Sequence, residues 1–271
     1  MHVRIGILGC GYVGQAAAVF WKNQSHFLTV TTRQIEKINF LQTFAHQVHQ
    51  LTDDNILPFL ANQDILLVSV AAASSRDYQN TYLETARRII ELLPQTPSLK
   101  QIIYTGSTSV YGDFQGNWVD ETTLLNPLNE QSYCLSQTEQ FFLKAPSSVN
   151  VTIFRLGEIY GPGRWITDRV IRMHQYSFPG TGNQLTNVIH LTDIVRALDF
   201  ALQNKLHGIF NLCNDFHIPR KLFYEQLLQS AHLPSIQWDA NKPSLHGGNK
   251  KVSSSKLKKL GFSFLENGPA R

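Results

Sequence analysis

The chain opens on a short apolar run, Val3-Arg4-Ile5-Gly6-Ile7-Leu8, which suits a strand buried on both faces. Gln15 to Lys22 follows as an Ala-rich helical stretch. Phe27 to Thr32, Ile65 to Val70, Gln101 to Thr105 and Val151 to Leu156 are further β-branched or apolar runs. Helical patterns separate them, the clearest over Tyr82 to Leu93. Strands that alternate with helices predict an α/β fold built on a doubly wound parallel sheet with right-handed crossovers. After residue 157 the texture changes. Gly161-Pro162-Gly163 and Pro179-Gly180-Thr181-Gly182 mark loops, Val188 to Leu202 predicts a strand and then a helix, and Gly208 to Cys213 one more strand. Arg220 to Ala231 reads as helix, and the tail beyond Pro234 as irregular. The expected organisation is one sheet domain over 1–157, rejoined by 186–213, and a small substrate lobe made of 158–185 and 214–271.

Composition narrows the classes. The 271 residues carry 42% hydrophobic and 16% charged residues, which excludes a disordered or coiled-coil chain. The net charge of +4 is mild, and the one local cluster, Lys250, Lys251, Lys256, Lys258 and Lys259, reads as a solvated face, so no nucleic-acid partner is expected. Cys10, Cys134 and Cys213 are odd in number and scattered, which argues against a disulfide framework or zinc site and for a reducing compartment. His46 and His49 form an H-x-x-H pair with no third ligand nearby; they read as a polar helix face, and no metal is expected. The uncharged stretch Ile5 to Trp21 is broken by four glycines and is too short to span a bilayer, so the expectation is a cytoplasmic protein without a membrane partner.

The first chemistry lies in Gly9-Cys10-Gly11-Tyr12-Val13-Gly14, a G-x-G-x-x-G pattern that follows a strand and opens a helix. Gly9 permits a tight turn, Gly11 lets a pyrophosphate approach the backbone, and Gly14 lets the helix pack on the strand. The helix N-terminus supplies an anion site. The fold expected is therefore an NAD(P)-binding Rossmann domain, with Tyr12 and Val13 at the cofactor. An acid about 20 residues beyond the glycines would grip the ribose of NAD. Thr32 and Arg33 stand there instead, and a guanidinium pairs with a 2′-phosphate where a carboxylate would repel it. The reading favours NADP over NAD.

Further segments carry a family resemblance. They are Ile102-Ile103-Tyr104-Thr105-Gly106-Ser107-Thr108-Ser109-Val110-Tyr111-Gly112-Asp113, Trp118-Val119-Asp120-Glu121-Thr122 with Asn126-Pro127, Tyr133-Cys134-Leu135-Ser136-Gln137, and Phe154-Arg155-Leu156-Gly157-Glu158-Ile159-Tyr160-Gly161-Pro162-Gly163-Arg164. Together with Val188-Ile189-His190-Leu191-Thr192-Asp193-Ile194, Ile209-Phe210-Asn211-Leu212 and the Ser255-Lys256 to Gly261-Phe262 stretch, they resemble, in order, the extended short-chain dehydrogenases/reductases, the NAD-dependent epimerase/dehydratase family. The glycine pattern departs from that family's usual G-x-x-G-x-x-G, and the chain is short for the extended group.

The resemblance implies hydride transfer with Tyr133 as proton donor or acceptor and Ser107 on the reacting oxygen. It also implies cofactor contacts at Leu51, Ala71 and Ala72. The family's Tyr-x-x-x-Lys appears here with Gln137 in the Lys position. Glutamine hydrogen-bonds a ribose but supplies no cation. A free tyrosine, with a pKa of ~10, is ionised only about once in a thousand at neutral pH, so loss of that cation threatens base catalysis more than cofactor binding. Ser107-Thr108-Ser109 lacks the acids of the family's 4,6-dehydratases, and no G-x-S-x-G elbow is present for a hydrolase. His190 and Asp193 read mainly as structural, with Thr192-Asp193 capping a helix. The expected function is an NAD(P)-dependent oxidoreductase or epimerase on a small polar substrate such as a sugar or sugar nucleotide, working as monomer or homodimer. The alternative is a catalytically weak NADP-binding sensor or regulator.

Overall fold

The structure, a computed structural model, describes residues 2–52, 55–173, 175–242, 248–266 and 268. In chain order the elements are β1 (Arg4–Leu8), α1 (Tyr12–Asn23), β2 (Phe27–Thr32), α2 (Ile38–Gln42), β3 (Gln47–Gln50), α3 (Ile56–Ala61), β4 (Ile65–Val68), α4 (Thr85–Leu92), β5 (Gln101–Ser107), β6 (Trp118–Val119), α5 (Glu130–Phe142) and β7 (Asn150–Leu156). Then come β8 (Glu158–Tyr160), α6 (Ile166–Met173), β9 (Phe178–Pro179), β10 (Val188–His190), α7 (Leu191–Gln203), β11 (Gly208–Leu212), α8 (Arg220–Ser230), β12 (Trp238–Asp239), β13 (Lys251–Val252) and α9 (Ser255–Lys259).

The chain forms two compact units. The first comprises residues 1–106, 133–154 and 194–210, the second 107–132, 155–193 and 211–271. This division differs from the sequence expectation in placing 107–132, 155–157, 186–193 and 211–213 in the second unit, where β6 pairs with β13.

A seven-stranded parallel sheet in the order β11-β7-β5-β4-β1-β2-β3 dominates the first unit. β1, β2, β4, β5 and β7 are largely buried, and this is why they read as continuous apolar runs. Ile102 and Tyr104 of β5 face a core made with α3, α4 and α5, to which Phe59, Leu60, Ala86, Ile89 and Phe142 contribute. Gln101 and Ile103 alternate to the other face. There Gln101 Nε2 donates to Ala201 O of α7 at 2.9 Å, and the buried Trp21 of α1 donates its indole N–H to Asp199 Oδ1 at 3.1 Å.

Several elements differ from the sequence expectation. His46 and His49 do not form a polar helix face. β3 runs through this region as an edge strand in register with β2, Thr29 opposite Gln47 and Thr32 opposite Gln50. His46 Nδ1 accepts the Leu28 N–H at 3.1 Å, and the His46 ring stacks on Phe27. Gln-Val-His-Gln carries no apolar alternation, so pairing with β2 decides its conformation. The helix expected from Tyr82 begins earlier, with a π-helical turn over Gln79–Glu84 that leads into α4. The tail beyond Pro234 contains β12, β13 and α9.

The second unit is built from short parallel pairs, β10 with β8, β12 with β9 and β13 with β6. Phe223, Tyr224, Leu227 and Leu228 of α8 share a core with Ile166 and Val170 of α6, Phe178 and Val188. Lys250 is buried here, its Nζ donating to Gly112 O at 2.9 Å. Burial lowers its pKa to about 8, with Asp113 opposing and Arg220 reinforcing the shift. Above that value the folded protein has released the proton while the unfolded chain still holds it, so folding gains stability as pH rises until the unfolded lysine also titrates. The stability of the wild type relative to Lys250→Met is therefore expected to rise between about pH 8 and about pH 10. Chemical denaturation of both proteins across that range measures the difference; a flat or falling difference contradicts a lowered pKa at the buried Lys250.

Candidate active site

The strand order reverses between β1 and β4, since the chain leaves β1 for β2 on one side and β4 for β5 on the other. Ligands of open α/β sheets bind in the crevice outside the carboxyl ends of strands at such a point. Gly9 lies there in the left-handed region, φ +92°. A Cβ on it would stand 2.6 Å from Ser69 O, so the turn after β1 is wedged against the segment leaving β4. The Ser69 N–H donates to Leu8 O at 2.8 Å. Gly14 is equally tight, because a Cβ would lie 2.5 Å from Gly9 O. Gly11 is the opposite case, with nothing within 4 Å of an added Cβ.

Gly11 also precedes α1, which opens with no side-chain cap and no acidic residue in its first turn. A helix N-terminus presents backbone N–H groups and a partial positive charge. Open space at Gly11 in front of an uncapped twelve-residue helix fits a pyrophosphate, with Gly11, Tyr12 and Val13 as the residues to hold it. Burial pushes the Cys10 thiol up to about 12, so it is held as the neutral thiol.

Around this cradle, Thr32 Oγ1 accepts the Gln34 N–H at 3.1 Å, and the Leu51 N–H donates to Thr32 O at 2.8 Å. Arg33 stands exposed at the end of β2. Leu51 packs against the core under α3 and α4. Beyond β4, Ala71 is exposed and the Ala72 N–H points to the Tyr82 hydroxyl at 3.4 Å.

Tyr133 and Gln137 lie one turn apart on α5, hence on one face of it. The Tyr133 side chain is 58% exposed, and Ser136 Oγ donates to Tyr133 O at 2.7 Å. Ser107 ends β5 and belongs to the second unit; its Oγ accepts the Ser109 N–H at 3.1 Å and caps the turn that follows. Tyr111 of the same turn is structural. Its hydroxyl donates to Asn211 Oδ1 at 2.8 Å, the Arg155 guanidinium lies over its ring, and burial pushes its pKa up to about 12. His190 Nδ1 accepts the Thr192 N–H. Asp193 is not the helix cap expected: α7 begins at Leu191, and the Asp193 carboxylate accepts the Leu265 and Glu266 N–H groups at 2.9 and 3.0 Å. Thr31, inside a β-branched run, and Tyr82, inside a helical apolar pattern, carry no sequence signal for their contacts with the Gly9 and Ala72 amides.

Residues 5–213 match the NAD dependent epimerase/dehydratase family. The chain belongs to that family. Among curated relatives, Protein YeeZ of Escherichia coli strain K12 is 28% identical over 98% of this chain and 97% of its own. The fold is shared with a functionally unknown conserved protein from Silicibacter pomeroyi (TM-score 0.81, 22% identity, 98% of this chain and 95% of the other). It is also shared with MoeE5 in complex with UDP-glucose and NAD (TM-score 0.83, 18% identity, 97% and 94%). Among the described residues, no helix of this family member is long and apolar enough to cross a membrane.

The unequal space at two glycines makes a direct test. Gly14→Ala is expected to destabilise the protein by about 1–3 kcal/mol through overpacking, whereas Gly11→Ala should stay within about 0.5 kcal/mol of wild type. Thermal or urea denaturation of both variants decides it, and equal losses would contradict the geometry.

Proposed function

We propose that this epimerase/dehydratase-family chain is an NAD(P)-dependent oxidoreductase or epimerase acting on a small polar substrate of the sugar or sugar-nucleotide class. The open cradle at Gly11, set at the reversal point of the sheet and against an uncapped helix, carries the reading. The fold shared with MoeE5, described in complex with UDP-glucose and NAD, supports the substrate class. A bound nicotinamide supplies hydride transfer. Of the chain's own groups, the Tyr133 hydroxyl gives or takes the substrate proton, and Ser107 Oγ is the hydrogen-bonding group for the reacting oxygen. Gln137 offers an amide to the ribose but no positive charge. Arg33, exposed at the end of β2 where an acid would select NAD, supports NADP as the preferred cofactor. The scattered free cysteines support a cytoplasmic location.

The substitution at residue 137 favours one other reading, a dinucleotide-binding sensor with little turnover. Turnover assays on sugars, sugar nucleotides and small carbonyls separate the two. Gln137→Lys restores a cation one helical turn from Tyr133 and should raise slow hydride exchange about ten- to a hundredfold, and adding Tyr133→Phe should remove the gain. Activity that survives Tyr133→Phe would assign the chemistry to other residues; no activity in either protein supports the sensor.

Calorimetry tests the cofactor. The wild type should bind a nicotinamide dinucleotide, and Gly11→Asp, which sets a carboxylate against the pyrophosphate, should abolish binding. Arg33→Ala should weaken NADP by about tenfold or more and leave NAD nearly unchanged. Equal losses for both cofactors would remove Arg33 as the selector, and no binding of any oxidised or reduced form would refute the central reading.

A further inference from the structure

The turn at Gly9 is held from two directions. On the β4 side the hold is main chain: Ser69 N–H donates to Leu8 O, and the Gly9 Cα is wedged against Ser69 O. On the β2 side a side chain takes part. The Gly9 N–H donates to Thr31 Oγ1 at 3.2 Å, and the Thr31 hydroxyl donates in turn to Ile7 O at 3.2 Å. Thr31 is buried, so its bond to Ile7 O is shielded from bulk water, and the Gly9 bond is partly shielded. The Thr31 hydroxyl thus bridges the first amide beyond β1 and the Ile7 carbonyl within it, using its donor and an acceptor lone pair.

This arrangement has a chemical consequence for an anion in the cradle. The Gly9 N–H is already engaged, so it points into the sheet edge and not at the ligand. The approach for a pyrophosphate is open at Gly11, where an added Cβ would meet nothing within 4 Å. The orientation of the Gly9 peptide sets the direction in which the chain enters α1, because Gly14 is seated against Gly9 O. We propose that Thr31 is a positioning residue for the pyrophosphate cradle: its hydroxyl fixes the Gly9 peptide, and through it the helix opening, in the anion-binding geometry before any ligand arrives. The proposal rests on the dinucleotide-binding reading above and deepens it by assigning the pre-organisation of the site to a side chain outside the glycine pattern.

The test compares Thr31→Val, which keeps the β-branched shape and removes the hydroxyl, with Thr31→Ser, which keeps the hydroxyl. Calorimetry would use NAD, NADP, ADP-ribose and 2′-AMP. Thr31→Val should lose about five- to tenfold in affinity for NAD, NADP and ADP-ribose alike, the size expected for one hydrogen bond. It should bind 2′-AMP, which has no 5′-phosphate to enter the cradle, as the wild type does. Thr31→Ser should restore most of the affinity. A Thr31→Val protein with a lowered Tm but unchanged dinucleotide affinity would overturn the proposal, as would a loss confined to NADP, which would move the effect to the Arg33 side. Hydrogen exchange on the wild type keeps the proposal testable if Thr31→Val does not fold. The Gly9 amide should be protected before any dinucleotide is added, and an amide protected only after addition would overturn pre-organisation. A wild type that binds no dinucleotide at all refutes the functional reading itself, a result distinct from a wild type that binds and a Thr31→Val variant that binds equally well.

Discussion

The left-handed turn at Gly9 is the constraint on which the carboxyl edge of the sheet depends. β1 and β4 are neighbours, and the segments leaving them meet at once: an added Cβ on Gly9 would overlap Ser69 O and Val70 Cα. With that contact made, α1 has only one way to start, and Gly14 must lie against Gly9 O. The approach of α1 to the sheet, the space in front of Gly11 and the burial of Val13, Ala17, Ala18 and Trp21 all follow from it. Left-handed backbone is cheap for glycine alone, so the residue type is dictated by conformation and by contact together.

The second unit answers a different problem. Its sheets are pairs of two or three residues, too short to hold their surroundings by ladders alone. Asparagines do part of that work. Asn187 Nδ2 donates to Lys250 O at 2.9 Å while its Oδ1 accepts the Val252 N–H at 2.9 Å. Asn249 Oδ1 accepts the Leu185 N–H, and Asn211 Nδ2 donates to Ser253 O. Each amide acts as a short piece of backbone and satisfies groups that a longer strand would have paired. Ionic groups are shared in the same economical way: the Glu158 carboxylate receives both Arg169 and Arg220, and Tyr224 accepts from both guanidinium groups. Removing Arg220, the buried member, leaves the largely buried Glu158 carboxylate with less compensation, which makes the network a determinant of the unit's geometry.

The sequence by itself determined the parallel sheet, because strands buried on both faces need continuous apolar runs and those runs are visible. It also determined the cradle, because glycine at three spaced positions after a strand has few other uses. It did not reveal β3, whose polar Gln-Val-His-Gln becomes a strand only by pairing with β2. Nor did it reveal the π-helical start before α4, which has no composition of its own. Tertiary structure alone decided that Gly11 faces open space while Gly14 has none, that Asp193 holds Leu265 and Glu266 and not a helix end, and that Thr31 reaches the Gly9 amide. The physical reason is common to these cases. Local pattern reports which residues prefer to be buried and which backbone shapes are allowed, whereas a hydrogen bond between residues 22 apart in the chain exists only after β1 and β2 have paired.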